Sequence, residues 1–385
     1  MLSVRTDFPF FKNNPGLVYL DSASTTQKPQ QVIDAITHFY TTDNANSGRG
    51  NYPLATRQTK CIETTRQKIQ MFVGAKESDE IIFTTGATIA MHQLAFSLAE
   101  SVLKDGDEIL YCPHDHNSFI EPLTRITSTL KKRGITITLV PYSIRNTGGI
   151  DIADIKSKVS PRTKVVWATH VHNIFGTDSD IAELKPIVNA DTIIVLDATQ
   201  SIGHMPIDVA QLGVDALICT GHKMLAGTGI GFIYLQSSVQ ARLRPFFVDS
   251  GYEVGTAHLA GIASLNAAIT YLNTLTMTAV HRHIADLTQY TLQALQALPH
   301  IEFTPGPHYW RCQGGNGILA FQCMNLPATE VGFILAERNI CVRTGDHCTF
   351  STHHKYQDTI RVSMHIYNTK TDIDYFVACL AEITT

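Results

Sequence analysis

Seven short apolar stretches recur over the first 235 residues. They are 80–84 (EIIFT), 108–112 (EILYC), 135–140 (ITITLV), 164–169 (KVVWAT), 192–197 (TIIVLD), 216–220 (ALICT) and 231–235 (GFIYL). Most are apolar at nearly every position and rich in β-branched residues, the pattern of strands covered on both faces in a mostly parallel sheet. The segments between them switch to a helical period. One starts at Pro29 and ends near Tyr40, with Val32, Ile33 and Ile36 on one face. Ile62, Ile69, Phe72 and Val73 mark a second, and 88–99 and 181–188 fill later gaps. Strands alternating with helices predict an α/β unit with helices on both faces of the sheet.

After residue 235 the rhythm changes. Helical patterns at 261–275, 278–298, 327–338 and 371–383 surround short strand-like runs at 317–321 and 361–364. This predicts a large α/β domain over 15–270, and a smaller α+β domain built from 1–14 plus 271–385.

Charge and composition narrow the function. Thirty Lys and Arg against 34 Asp and Glu give a net charge of −4, so no basic excess serves a nucleic-acid backbone. Polar residues interrupt every apolar stretch before it reaches the ~20 residues of a membrane span. The first eight residues, MLSVRTDF, carry no apolar core of signal-peptide length, so a cytoplasmic protein with neither membrane nor nucleic-acid partner is expected. The eight cysteines are scattered without a CxxC pair, as for reduced thiols packed as small hydrophobes. Histidines pair at His114/His116, His170/His172 and His353/His354, yet no closed Cys/His set has the spacing of a metal site, and none is expected.

Ligand sites in open α/β sheets lie outside the carboxyl ends of the strands. After the first predicted strand comes Thr85-Gly86-Ala87-Thr88, a small-residue turn entering a helix, suited to a phosphate. The next strand ends are followed by Pro113-His114-Asp115-His116-Asn117 and by His170-Val171-His172-Asn173. Two more deliver Asp197-Ala198-Thr199-Gln200 and Thr220-Gly221-His222-Lys223. An acid and a lysine thus end consecutive strands.

The string VLDATQSIGHMPIDVAQLGVDALICTGHKMLAGTGIGFIYL resembles the core of fold-type I pyridoxal-phosphate enzymes of the class V aminotransferase branch. Within it the chain resembles a group II, SUF-type cysteine desulfurase. The likeness runs from Tyr19-Leu20-Asp21-Ser22-Ala23 to Arg361-Val362-Ser363-Met364-His365-Ile366-Tyr367-Asn368. It implies a homodimer whose large domain holds a mostly parallel seven-stranded sheet between helices, and pyridoxal 5'-phosphate as cofactor. Lys223 is then the amine that holds the cofactor aldehyde, and Asp197 the acid that keeps its pyridine nitrogen protonated. Gln200 would bond the ring oxygen, and His116 would stack on the ring and shuttle protons. Asn173 would reach both cofactor and substrate. Thr220, His222, Ala87 and Thr88 would hold the phosphate, joined by Thr256 of Gly255-Thr256 reaching across the dimer.

Val342-Arg343-Thr344-Gly345-Asp346-His347-Cys348 resembles the desulfurase loop whose cysteine accepts sulfur, with Arg343 and His347 placed to favour the thiolate. By the same resemblance Arg361 holds the substrate carboxylate, as a planar guanidinium does well, and Arg343 is a further substrate-binding residue. The implied reaction takes L-cysteine to L-alanine, leaves a persulfide on Cys348, and passes the sulfur to an acceptor protein. Selenocysteine, cysteine sulfinate or a transamination substrate remain alternatives, as does a non-catalytic sulfur-relay or binding protein. The chain departs from the family pattern at Ile89, where an acid is usual, and in Gly48-Arg49-Gly50-Asn51-Tyr52, where only Arg49 and Gly50 match.

Overall fold

The computed structural model describes residues 2–247, 251–253, 255–304, 315–349 and 358–384. The predicted strands form one seven-stranded sheet. They are β2 (Ile81–Thr84), β3 (Glu108–Tyr111), β4 (Thr138–Pro141), β5 (Thr163–Thr169), β6 (Ile193–Asp197), β7 (Ala216–Thr220) and β8 (Gly231–Leu235), following β1 (Val18–Tyr19) in the chain. Their spatial order is β2-β8-β7-β6-β5-β3-β4. Only β8 runs against the rest, antiparallel to both β2 and β7. Gly231 allows this insertion, since a Cβ there would meet the Cys219 carbonyl oxygen at 2.5 Å.

Side chains of β5 and β6 alternate between two apolar layers. Val166, Ala168, Ile194 and Leu196 face one, and Val165, Trp167, Ile193 and Val195 the other. That two-sided burial is why these strands read as continuous apolar runs. Cys219 is fully buried in β7, and Cys219→Ala is expected to cost only ~1–2 kcal/mol of stability by denaturant unfolding, with activity kept.

A second, antiparallel sheet has the order β12-β13-β10-β9, made of β9 (Ile301–Phe303), β10 (Ile318–Cys323), β12 (Arg343–Gly345) and β13 (Thr359–Ser363). Between them in the chain, β11 (Ile340–Cys341) pairs in parallel with β1, which brings the N-terminal segment onto this layer. Val18 and Leu20 accordingly share a core with Phe321, Ile360 and Phe376.

Several elements differ from the sequence reading. The helix expected over 181–188 is two 3-10 turns, Ile181–Glu183 and Lys185–Ile187, because Pro186 lacks the N–H that would continue a helix. A 16-residue helix, Asn117–Lys132, escapes that reading because Pro122 signals a break. The helix persists because Phe119, Ile120, Leu123, Ile126 and Leu130 bury one face. The strands β1, β9, β11 and β12 have two or three residues each, too few to carry a period. Among the described residues no helix is long and apolar enough to cross a membrane. Seven cysteines are free; Cys312 and the pair His353/His354 lie outside the described residues.

Candidate active site

The carboxyl ends of β2, β3, β5, β6 and β7 open onto one cavity of about 470 Å³. Ala87, Thr88, His116, Asn173, Asp197, Gln200, Thr220, His222, Lys223, Arg343 and Arg361 all line it. Thr256 does not. It lines a neighbouring cavity with Arg49, and the two share Thr85 and Ile89 as a common wall.

Lys223 closes a 3-10 turn directly after β7. Burial, then the charges of Arg361 and Arg343, hold its amine down to about 8, against the opposing pull of Asp197 and Cys348. A neutral amine is the nucleophilic form, so the site favours attack on a carbonyl. Uptake of the cofactor aldehyde by apoprotein is therefore expected to rise with pH and level off above about 8, followed by absorbance. Arg361→Met is expected to move that midpoint upward, because a positive neighbour is removed.

Asp197 ends β6 beside Thr169 of β5. One carboxylate oxygen accepts the Thr199 N–H at 2.8 Å. Burial pushes its pKa up, against the pull of Thr199 and Lys223. A buried acid in this state gains most from a protonated ring nitrogen brought against it. Gln200 Nε2 donates to the Ala23 carbonyl at 3.0 Å, and Asn173 Nδ2 to the His347 carbonyl at 3.0 Å. Each amide keeps a second hydrogen for a ligand.

His116 caps the helix Asn117–Lys132, its Nδ1 accepting the Ser118 N–H at 3.1 Å. That bond assigns the neutral ring with its proton on Nε2. Burial, then the charges of Lys223, Arg361 and Arg343, hold the ring down to about 4. At the other end of the cavity, Gly86 precedes the helix Ala87–Ser101 with no side-chain cap, leaving first-turn N–H groups beside Thr88, Thr220 and His222. Gly86 has φ 144°, which a residue with a Cβ rarely adopts.

The cysteine loop docks onto this wall. Asn117 N–H donates to the Cys348 carbonyl at 2.8 Å, and His116 bridges to Thr349. Arg343 Nη2 donates to Cys348 Sγ at 3.0 Å. His347 and Cys348 both have positive φ, 52° and 60°, a strained backbone for residues with a Cβ. The expected help from His347 is absent. Its ring is buried against Thr359 Oγ1 at 2.8 Å, and burial with the nearby Arg361 and Arg343 holds it neutral, down to about 3. Arg343 alone supplies positive charge from that pair. Arg361, only 2% exposed, is no surface cation: Nη1 donates to the Asn173 carbonyl at 3.0 Å and Nη2 to Asp21 at 3.2 Å, while Nε has no partner among the described residues.

The sequence reading left out Ser24, Thr169, Thr199 and Ser118, which also line the cavity. The run Ser22-Ala23-Ser24-Thr25-Thr26, small and polar after an apolar strand, was the available signal.

An amine, a buried acid, an uncapped helix start and two arginines around one cavity suit a phosphorylated aldehyde and an amino acid. Among the described residues the buried Gln200 Oε1 has no partner, which fits a polar group brought against it. The chain belongs to the class-V aminotransferase family, whose model matches residues 18–376, and its cofactor is pyridoxal phosphate. It is 33% identical over 404 residues to a probable cysteine desulfurase of Synechocystis, covering 98% of this chain and 94% of that one. It is 35% identical to a probable cysteine desulfurase of Halalkalibacterium halodurans, over 94% of this chain and 92% of the relative. The apo structure of a cysteine desulfurase from Thermococcus onnurineus superposes with a TM-score of 0.90 at 28% identity, over 99% of this chain and 97% of that one.

Proposed function

We propose that this chain is a cysteine desulfurase that converts L-cysteine to L-alanine and keeps the sulfur as a persulfide on Cys348. The observation that carries the reading is the Arg343–Cys348 contact of 3.0 Å, in a loop hydrogen-bonded to His116 and Asn117 beside the Lys223 cavity.

When bound, the cofactor supplies an aldehyde that links to the substrate amine and a ring that stores the electron pair released at the α-carbon. Arg361 and Arg343 orient the substrate by its carboxylate. Lys223, once released, takes the α-proton on its neutral Nζ. Asp197 holds the ring-nitrogen proton in place. Cys348 Sγ attacks the substrate sulfur as a thiolate; an S–S bond forms and the C–S pair returns to carbon. Lys223, protonated in the earlier step, then returns a proton to carbon to give alanine, with the neutral His116 ring lining the same cavity. In this reading the large domain spans about 15–270, and the cysteine loop belongs to the smaller one. Thr256 of a second copy completes the phosphate site of a homodimer, and the persulfide sulfur passes to an acceptor protein in the cytoplasm.

The test is purified protein with L-cysteine, assayed for alanine and for sulfide with and without reductant. Alanine with reductant-dependent sulfide supports the reading; pyruvate, or a keto acid from another amino acid, contradicts it. Asp197→Asn is expected to keep the cofactor bound while turnover falls by ~10³-fold, since an amide cannot hold the ring proton. Turnover near the parent rate would move the acid elsewhere.

A further inference from the structure

Residues 21–28 lie between the two halves of the site and bond to both. Arg343 on β12 and Arg361 on β13 are direct cross-strand partners. Like charges in such a pair repel. Ser24 Oγ accepts from Arg361 Nη2 at 2.9 Å and from Arg343 Nη1 at 3.1 Å, and donates to Asp21 Oδ1 at 2.7 Å. Asp21 Oδ1 also accepts from Arg361 Nη2 at 3.2 Å. One serine and one carboxylate therefore fasten both guanidinium groups and offset their repulsion.

The same segment grips the lysine turn. The carbonyl oxygen of His222, the residue before Lys223, lies within hydrogen-bond distance of four donors: Thr26 N–H at 3.0 Å, Thr25 Oγ1 at 3.1 Å, Thr26 Oγ1 at 3.1 Å and Lys28 Nζ at 3.1 Å. A carbonyl has only two lone pairs. Thr26 Oγ1 also accepts the Leu225 N–H at 3.0 Å, pinning a residue with φ 71°. Among the described residues no carboxylate pairs with Lys28, and burial holds its amine down to about 8. Lys28 Nζ also donates to the Thr26 carbonyl, so this partly buried cation ties its own segment to the lysine turn through two backbone carbonyls, a costly arrangement unless the place of the turn matters. The middle of the segment is tied down as well. Ala23 N–H donates to Ser363 Oγ at 2.8 Å, and Gln27 N–H to Tyr367 Oη at 3.2 Å.

We propose that residues 21–28 form a rigid template that sets the guanidinium pair against the Lys223 turn. Asp21 and Ser24 are positioning residues for Arg361 and Arg343, and Thr26 and Lys28 are positioning residues for Lys223. The inference rests on the roles given above to Lys223 and Arg361. An amino acid carries its amine and carboxylate on one carbon, so the two receptors must keep a fixed separation. A misplacement of ~1 Å costs ~10²-fold in rate, and one continuous segment bonded to both receptors prevents it.

The test compares Asp21→Asn, Lys28→Met and Lys28→Arg holoprotein. The readouts are the Kd of L-alanine and the pH midpoint of the cofactor absorbance, kcat and KM for L-cysteine, and thermal melting of the apoprotein. Asp21→Asn is expected to raise the alanine Kd and cysteine KM by ~10-fold with the pH midpoint unmoved. Lys28→Met is expected to lower kcat by ~10-fold or more and to move the midpoint upward, because a looser turn lets water reach the amine, with the alanine Kd kept within ~2-fold. Lys28→Arg is expected to restore both. Unchanged readouts overturn the proposal. So does a common loss that tracks lowered apoprotein melting and is not restored by arginine. An alanine Kd unchanged in Arg361→Lys would instead remove the carboxylate assignment, whatever the Lys28 variants do.

Discussion

Lys223→Ala is expected to abolish turnover of L-cysteine and to leave a folded protein that binds the cofactor without a covalent link. Lys223 is the lysine lining the cavity, and its amine is already held down to about 8 by burial and by Arg361. Lys28, the other depressed lysine, donates to the His222 and Thr26 carbonyls and does not line that cavity. It cannot take over. The loss combines the anchor and the group that moves the α-proton, so a fall of ~10⁴-fold or more is expected. Borohydride reduction followed by peptide mapping checks the link. A reduced adduct on a lysine other than Lys223, or parent-rate alanine formation by the variant, would displace the assignment. Removing a partly buried cation from a crowd of positive groups is expected to leave the apoprotein at least as stable as the parent.

Cys348→Ser is expected to cut sulfide release by ~10³-fold or more while cofactor binding and the spectral change on adding L-cysteine persist, because a serine oxygen does not accept the sulfur. The loop keeps its shape in this variant: its anchors are backbone groups, the Cys348 carbonyl to Asn117 and the Cys348 N–H to Asp346 Oδ1 at 3.0 Å. Arg343 loses only the Sγ contact and retains Ser24. Arg343→Lys is the informative companion. A lysine keeps the charge but not the fork that holds Ser24 and Sγ together, so a smaller loss is expected than for the serine variant.

Much of this site is legible in the sequence. The strands delivering Asp197 and Lys223 are buried on both faces, so their apolar runs announce their ends, and chemistry at the ends of parallel strands converges by topology. Arg361 and Cys348 were legible through family resemblance rather than pattern: Arg361 lies inside the five-residue strand β13, and Cys348 in a polar loop, and neither segment carries a period that marks a site. What could not be read was whatever depends on approach in space. His347 stands beside Cys348 in sequence, yet its ring turns to Thr359 and stays neutral. Asp21 and Ser24 lie more than 300 residues from Arg361 and touch it. Such contacts follow from β1 pairing with β11, two residues against two, which is too short to leave a signature in the sequence.

Cys348 is the proposed acceptor of the substrate's sulfur. The direct measurement is mass spectrometry of peptides after mixing holoprotein with one equivalent of L-cysteine, without reductant, and blocking the remaining thiols. The expected result is the added mass of one sulfur atom on the peptide that carries Cys348, formed together with alanine. An added sulfur on Cys341 or any other cysteine, or alanine formed with no sulfur left on the protein, would contradict it.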